Sequence, residues 1–161
     1  MAGKRLAAVL HVIIWIMIVI DLLCVFSSPI WINHLRLDTF IRDPLFNYVE
    51  TVEVGGSYFY LTCLTIYCGV FLALILYQIA VILRSIVLNN PFTVKNAKCF
   101  KLAALYSLIL WIAFFSKLFI SPTLLTLICT GGVLVFALFM FVLSELFAQA
   151  ASIKEENELT I

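Results

Sequence analysis

Charge is what this chain lacks: only 12% of its 161 residues are Asp, Glu, Lys or Arg, against 65% hydrophobic. A soluble domain of this size leaves about a third of its unfolded-state surface exposed, so it has no interior large enough to hide so much apolar surface. The formal net charge of +1 offers no basic footprint, which excludes direct nucleic-acid binding. Patterns that carry chemistry are missing as well. No nucleophile stands beside a base, no carboxylates are paired, and neither a phosphate-binding glycine loop nor a zinc-protease motif occurs. An enzyme is not expected. The five cysteines are scattered and include no C-x-x-C. Cys24, Cys63 and Cys129 fall at similar depths, so a soft-metal cluster is conceivable, but free cysteine usually packs as a small hydrophobe.

What the chain has instead is length of apolar sequence. Four runs, about 6–28, 58–83, 102–120 and 124–147, reach or approach the roughly 20 helical residues that cross a hydrocarbon core. Backbone groups in lipid must pair internally, so such runs become helices. The expectation is an all-α integral membrane four-helix bundle in one domain, 1–161, with a tail at 148–161. The first run is longer than a signal-peptide core and lacks a small-x-small cleavage site, so it reads as a retained span. Lys4, Arg5, Arg84, Lys95, Lys98, Lys101 and Lys154 lie on one side, against Arg36 and Arg42 on the other, with Lys117 near that second edge. The positive-inside rule then puts both termini and the 89–101 loop in the cytoplasm. The expected location is the plasma membrane, multi-pass.

The outer loop, Pro29 to Ser57, is too apolar for a disordered linker, and its aromatics suit a headgroup belt. "TVEV" alternates like a short strand, and Gly55-Gly56 breaks it before the second span. This segment reads as a cap on the bundle mouth or as a lid over a small-molecule site. The inner loop, "NNPFTVKNAKCFK", is better specified. Asn89 and Asn90 stop a helix, Pro91 biases Asn90 away from one, and Thr93 can cap the next. Lys95, Lys98 and Lys101 then share one side of that helix, where anionic lipid or an acidic partner can meet them. After Ala151 the tail carries an acidic cluster, Glu155, Glu156 and Glu158. It reads as a frayed end or as one surface with the basic hairpin.

Ionisable groups inside spans are few. Asp21 lies about 10 Å below Ser28, and Lys117 about 5 Å below the outer end of its span, so the two are expected to pair. A structural salt bridge is favoured over a proton relay, since transport pathways usually show more than one such pair. Glu145 stands level with Arg84 and Lys101 and is expected to pair there. His11 is the one histidine within a span, and His34 lies on the other side. A single imidazole cannot supply two axial haem ligands, and no cofactor or metal is expected.

Two stretches carry a resemblance. Asn90, Pro91, Phe92, Thr93 and Asn96 match an N-P-F-[ST]-x-x-N loop, and Glu145, Phe147, Glu156, Asn157, Glu158, Leu159 and Thr160 match a tail of the form E-x-F-x-x-G-x-x-L-x-x-E-N-[DE]-L-T-V. Together they resemble the bacterial domain-of-unknown-function 2975 family of small four-span membrane proteins. Ala150 departs from the family's frequent glycine, and Lys98 and Lys101 stand near positions often held by arginine. The resemblance implies no established activity, but it implies a setting beside a small helix-turn-helix regulator. Its expected partners are the bilayer, that cytoplasmic regulator, docked on the two motifs, and a further copy of the chain. Self-protection against membrane-active peptides, or a small carrier, are the alternatives.

Overall fold

The computed structural model describes residues 2–34, 41–43, 48–50, 54–120 and 124–159. Four helices dominate: α1 (Ala2–His34), α2 (Val54–Val87), α3 (Val94–Ile120) and α4 (Leu124–Leu159). Each contains a stretch long and apolar enough to cross a membrane. At 1.5 Å per residue they run from about 40 Å (α3) to about 54 Å (α4), longer than a hydrocarbon core of about 30 Å. A small antiparallel hairpin, β1 (Ile41–Asp43) with β2 (Tyr48–Glu50), pairs Arg42 with Val49.

Two expected boundaries of the outer loop shift: the strand read over "TVEV" and closed by Gly55-Gly56, and the loop start at Pro29. Gly55 and Gly56 lie inside α2, whose first residue is Val54. Pro29 lies inside α1, which continues to His34. Proline has no N–H to give the carbonyl four residues back. Here that carbonyl belongs to Val25, and the buried Ser28 Oγ donates to it at 2.8 Å, so the break is repaired from within the helix. The remaining expectations for the outer loop, its aromatic belt and its lid, fall largely on 35–40, 44–47 and 51–53, outside the described residues.

The helices pack in chain order, α1 on α2, α2 on α3 and α3 on α4, and no comparable contact joins α1 to α4 among the described residues. A seven-residue period explains the seams. Along α1 the inward positions are Ala7, His11, Ile14, Ile18, Asp21, Val25, Ser28 and Ile32, an unbroken heptad alternation. Along α4 they are Thr126, Thr130, Val133, Ala137, Met140, Ser144, Phe147 and Ala151. The other α1 faces carry large exposed apolar side chains such as Leu6, Ile16 and Phe26, suited to lipid. Where α3 meets α4, Ala103, Ala104 and Ala137 are wholly buried, and small side chains let backbones approach closely. A core of Ile82, Cys99, Phe100, Ala104 and Met140 joins α2, α3 and α4, with Phe147 packed against it.

The α1–α2 seam has its own close approach. A Cβ at Gly69 would stand 2.1 Å from Val25 Cγ2, so α1 sits in a notch that only glycine leaves open. One turn of helix away from the seam's other end, the His11 ring spans the same two helices. Its Nδ1 lies 3.0 Å from the Ala80 carbonyl, and Trp15 Nε1 donates to Nε2 at 3.2 Å. With Nε2 accepting from Trp15, Nδ1 is the ring nitrogen that donates to the Ala80 carbonyl.

Gly69→Ala should lower the thermal unfolding midpoint in detergent, since an overpacked contact costs about 1–3 kcal/mol. Adding Val25→Ala should recover most of the loss. Gly131→Ala and Gly132→Ala, whose added Cβ meets nothing within 4 Å, should be neutral or stabilising in the same measurement.

Candidate functional site

The N-terminus of α1, the α2–α3 turn and the C-terminal part of α4 share one end of the molecule, as the contacts His11–Ala80 and Lys154–Asn90 require. This is the basic end, and the described residues of both sequence motifs lie there. Helix α2 stops in a Schellman arrangement. Asn89 takes a left-handed conformation (φ 60°), its N–H donates to the Ile86 carbonyl, and the Asn90 N–H donates to the Ser85 carbonyl, both at 3.1 Å. Asparagine tolerates that conformation better than most residues. Helix α3 begins with Thr93 as its cap, Oγ1 accepting from the Asn96 N–H at 3.2 Å.

Asn96 joins the two ends. It is fully buried, and its Nδ2 donates to the Pro91 carbonyl at 2.6 Å and to Ser85 Oγ at 2.8 Å. Ser85 Oγ in turn donates to the Asn90 carbonyl. One amide thus ties the last turn of α2, the turn itself and the first turn of α3. Its Oδ1 is buried with no hydrogen-bond partner.

Helix α4 closes over this knot. Ser144 Oγ donates to the Ala97 carbonyl at 2.9 Å, and Lys154 Nζ donates to Asn90 Oδ1 at 2.7 Å. Between them the Phe147 ring packs against Phe92 and Phe100, with centroids 5.5 and 4.7 Å away. Every residue of the N-P-F-T-x-x-N pattern therefore has a structural duty, and Phe92 touches the tail pattern through Phe147. Three contributors, Ser85, Ser144 and Lys154, carry no signal in the sequence, because only the packed geometry reveals their partners.

The outward face of this end is polar. Lys95, Lys98 and Lys101 are exposed on α3, as expected from their spacing, and Phe92 keeps nearly half its surface free at 46%. Helix α4 continues through the acidic stretch to Leu159, so Glu155 and Glu156 are carried exposed on a helix and not on a frayed strand of chain. Of the other tail positions, Asn157 is exposed, the side chains of Glu158 and Leu159 are not described, and Thr160 lies outside the described residues. Glu145 is exposed too, and no ion pair joins it to Arg84 or Lys101 among the described residues.

The second polar feature lies in the other half of the molecule. Asp21 and Lys117 do not pair: α1 packs on α2, which stands between it and α3. Asp21 lines an open-sided cavity of about 490 Å³ to which all four helices contribute, and its Oδ2 is buried without a hydrogen-bond partner. Among the described residues, no three His, Cys, Asp or Glu side chains converge as a metal site would require.

One family profile, described as "Protein of unknown function (DUF2975)", matches residues 38–161, so the chain belongs to that family. The match reaches back across α2, well beyond the two motifs. No curated protein and no solved structure matches the chain.

The knot predicts an order of stabilities. Asn96→Ala strands the Pro91 carbonyl and should cost about 1–3 kcal/mol. Asn96→Asp removes the donor and buries a carboxylate, and should cost more. Thr93→Ala should cost about 1 kcal/mol, while Thr93→Ser keeps the cap and should unfold near the wild type. Thermal unfolding in micelles, followed by circular dichroism, ranks the four.

Proposed function

We propose that this DUF2975 protein is a multi-pass plasma-membrane platform whose basic end lies in the cytoplasm and holds a soluble helix-turn-helix regulator. The role is one of binding, not catalysis. The observation that carries the reading is the prefolded basic end. A turn that merely links two spans has no need of a buried amide, a cap, an aromatic cluster and a clasp from α4. Such a surface meets a partner without a large ordering cost.

Charge supports the orientation, with seven Lys and Arg on this side against two on the other. It also suits a partner with a mixed surface: Lys95, Lys98 and Lys101 beside Glu155 and Glu156 favour one docking register. Exposed charges are screened by salt, so affinity comes mainly from the free part of Phe92 and from Leu159 and Ile161 entering apolar pockets. The choice of a helix-turn-helix regulator rests on the gene setting that the family resemblance implies. Asn96 is no part of the docking face, because it is buried; its share is to hold that face in shape.

Two measurements test the reading. An impermeant thiol reagent applied to intact cells should reach cysteines introduced at residues 30–56 and miss those at Lys95 and Glu156; labelling at Glu156 reverses the orientation. Removing residues 155–161 leaves Lys154 and its clasp on Asn90 in place. Insertion and stability should therefore stay near wild type while the regulator encoded beside the gene no longer co-purifies and transcription of the operon changes. Normal recruitment by the truncated protein contradicts the proposal.

A further inference from the structure

We propose that the cavity beside Asp21 is a binding site for a lipophilic organic cation. The inference stands apart from the regulator reading, since it concerns the opposite half of the molecule and none of the residues of the knot.

The cavity has the size of a small-molecule site, about 490 Å³, within the usual range for such pockets. Its wall is apolar almost throughout, with Val25, Leu72, Leu110, Phe114 and Val133 drawn from four helices. Into that wall α1 places one carboxylate. Asp21 follows the heptad seam of α1, between Ile18 and Val25, so the helix cannot turn it to lipid without turning the whole seam out. Gly69 stands opposite. A Cβ there would stand 2.1 Å from Val25 Cγ2, so the glycine permits the close crossing, and it would lie in ordinary contact, 3.5 Å, with Asp21 Oδ1.

An acidic side chain within a span is costly, and it is ordinarily balanced by a partner. Here Oδ2 is buried and has no hydrogen-bond partner, and no lysine or arginine closes on it among the described residues. The groups that face it across the α1–α2 seam are Thr65, Cys68 and Gly69, none of them cationic. Lys117 is not among the residues that line the cavity. A single negative charge in a roomy apolar chamber selects an occupant with the complementary build: a delocalised positive charge inside a hydrophobic body, entering from the bilayer through the open side. Compact inorganic cations fit poorly, since the wall offers too few oxygens to replace their hydration shells.

The test uses the full chain in nanodiscs and two probes of nearly equal size and opposite charge, tetraphenylphosphonium and tetraphenylborate, with empty nanodiscs as background. Tetraphenylphosphonium should bind saturably and tetraphenylborate should not. Asp21→Asn, nearly isosteric, should weaken the cation at least tenfold while retaining the helical circular dichroism and elution of the wild type. Val133→Phe narrows the chamber from α4 while keeping the Asp21 carboxylate and should also block binding, which keeps the inference testable if Asp21→Asn fails to fold. Lys117→Met should bind the cation as tightly as wild type or more so. Absence of saturable cation binding overturns the proposal, as does an Asp21→Asn or Val133→Phe protein that binds like wild type. Equal binding of tetraphenylborate, or a loss with Lys117→Met matching that with Asp21→Asn, overturns it as well.

Discussion

The buried amide of Asn96 is the constraint on which the basic end depends. Where two spans are joined by only six residues, 88–93, the unpaired backbone groups at the end of α2 and the start of α3 crowd into one short turn. The chain satisfies them from its own side chains. Asn96 serves Pro91, Ser85 serves Asn90, and Thr93 serves the first turn of α3. A longer, looser loop would have needed none of this, but it would not have held Lys95, Lys98 and Lys101 in one place.

The same economy of polar groups runs through the helix seams. On α4 the heptad sets small or hydroxyl side chains at Thr130, Ala137, Ser144 and Ala151, so α3 and α4 come close and Ser144 reaches a backbone carbonyl of its neighbour. On α1 the seam instead carries His11, Asp21 and Ser28. Two of these are spent on backbone carbonyls, those of Ala80 and Val25. Asp21 is not. The tightly packed half of the molecule, where α2, α3 and α4 share a core, and the half that leaves a chamber are thus distinguished by what their seams are made of.

Much of this was legible in the sequence. Four spans follow from the length of the apolar runs, and the hairpin at 89–101 follows from Asn89, Pro91 and Thr93, because those residues act through local backbone geometry. The loop ends misled: Gly55-Gly56, read as closing a short strand, and Pro29, read as opening the loop, both lie inside helices, since such residues only weaken a helix and in lipid an unpaired backbone is worse. Depth alone suggested the pairing of Asp21 with Lys117. Depth is only one coordinate, and the order of the helices around the molecule, which puts α2 between α1 and α3, is not written in hydropathy. The heptads of α1 and α4 were present in the sequence all along. They are hard to see where every face is apolar, so that only the positions of small and polar residues mark the seam. The reach of Lys154 back to Asn90 spans 64 positions and had no local signal.

The central claim is that the α2–α3 turn is a rigid, prefolded surface and not a spacer. Amide hydrogen exchange of the full chain in nanodiscs tests it most directly. The N–H groups of Asn89, Asn90, Asn96 and Ala97, each bonded across the turn or the cap, should exchange on the slow timescale of the middle of α3. Exchange of these four within seconds, with α3 itself protected, would show that the knot does not hold in the membrane and would contradict the account.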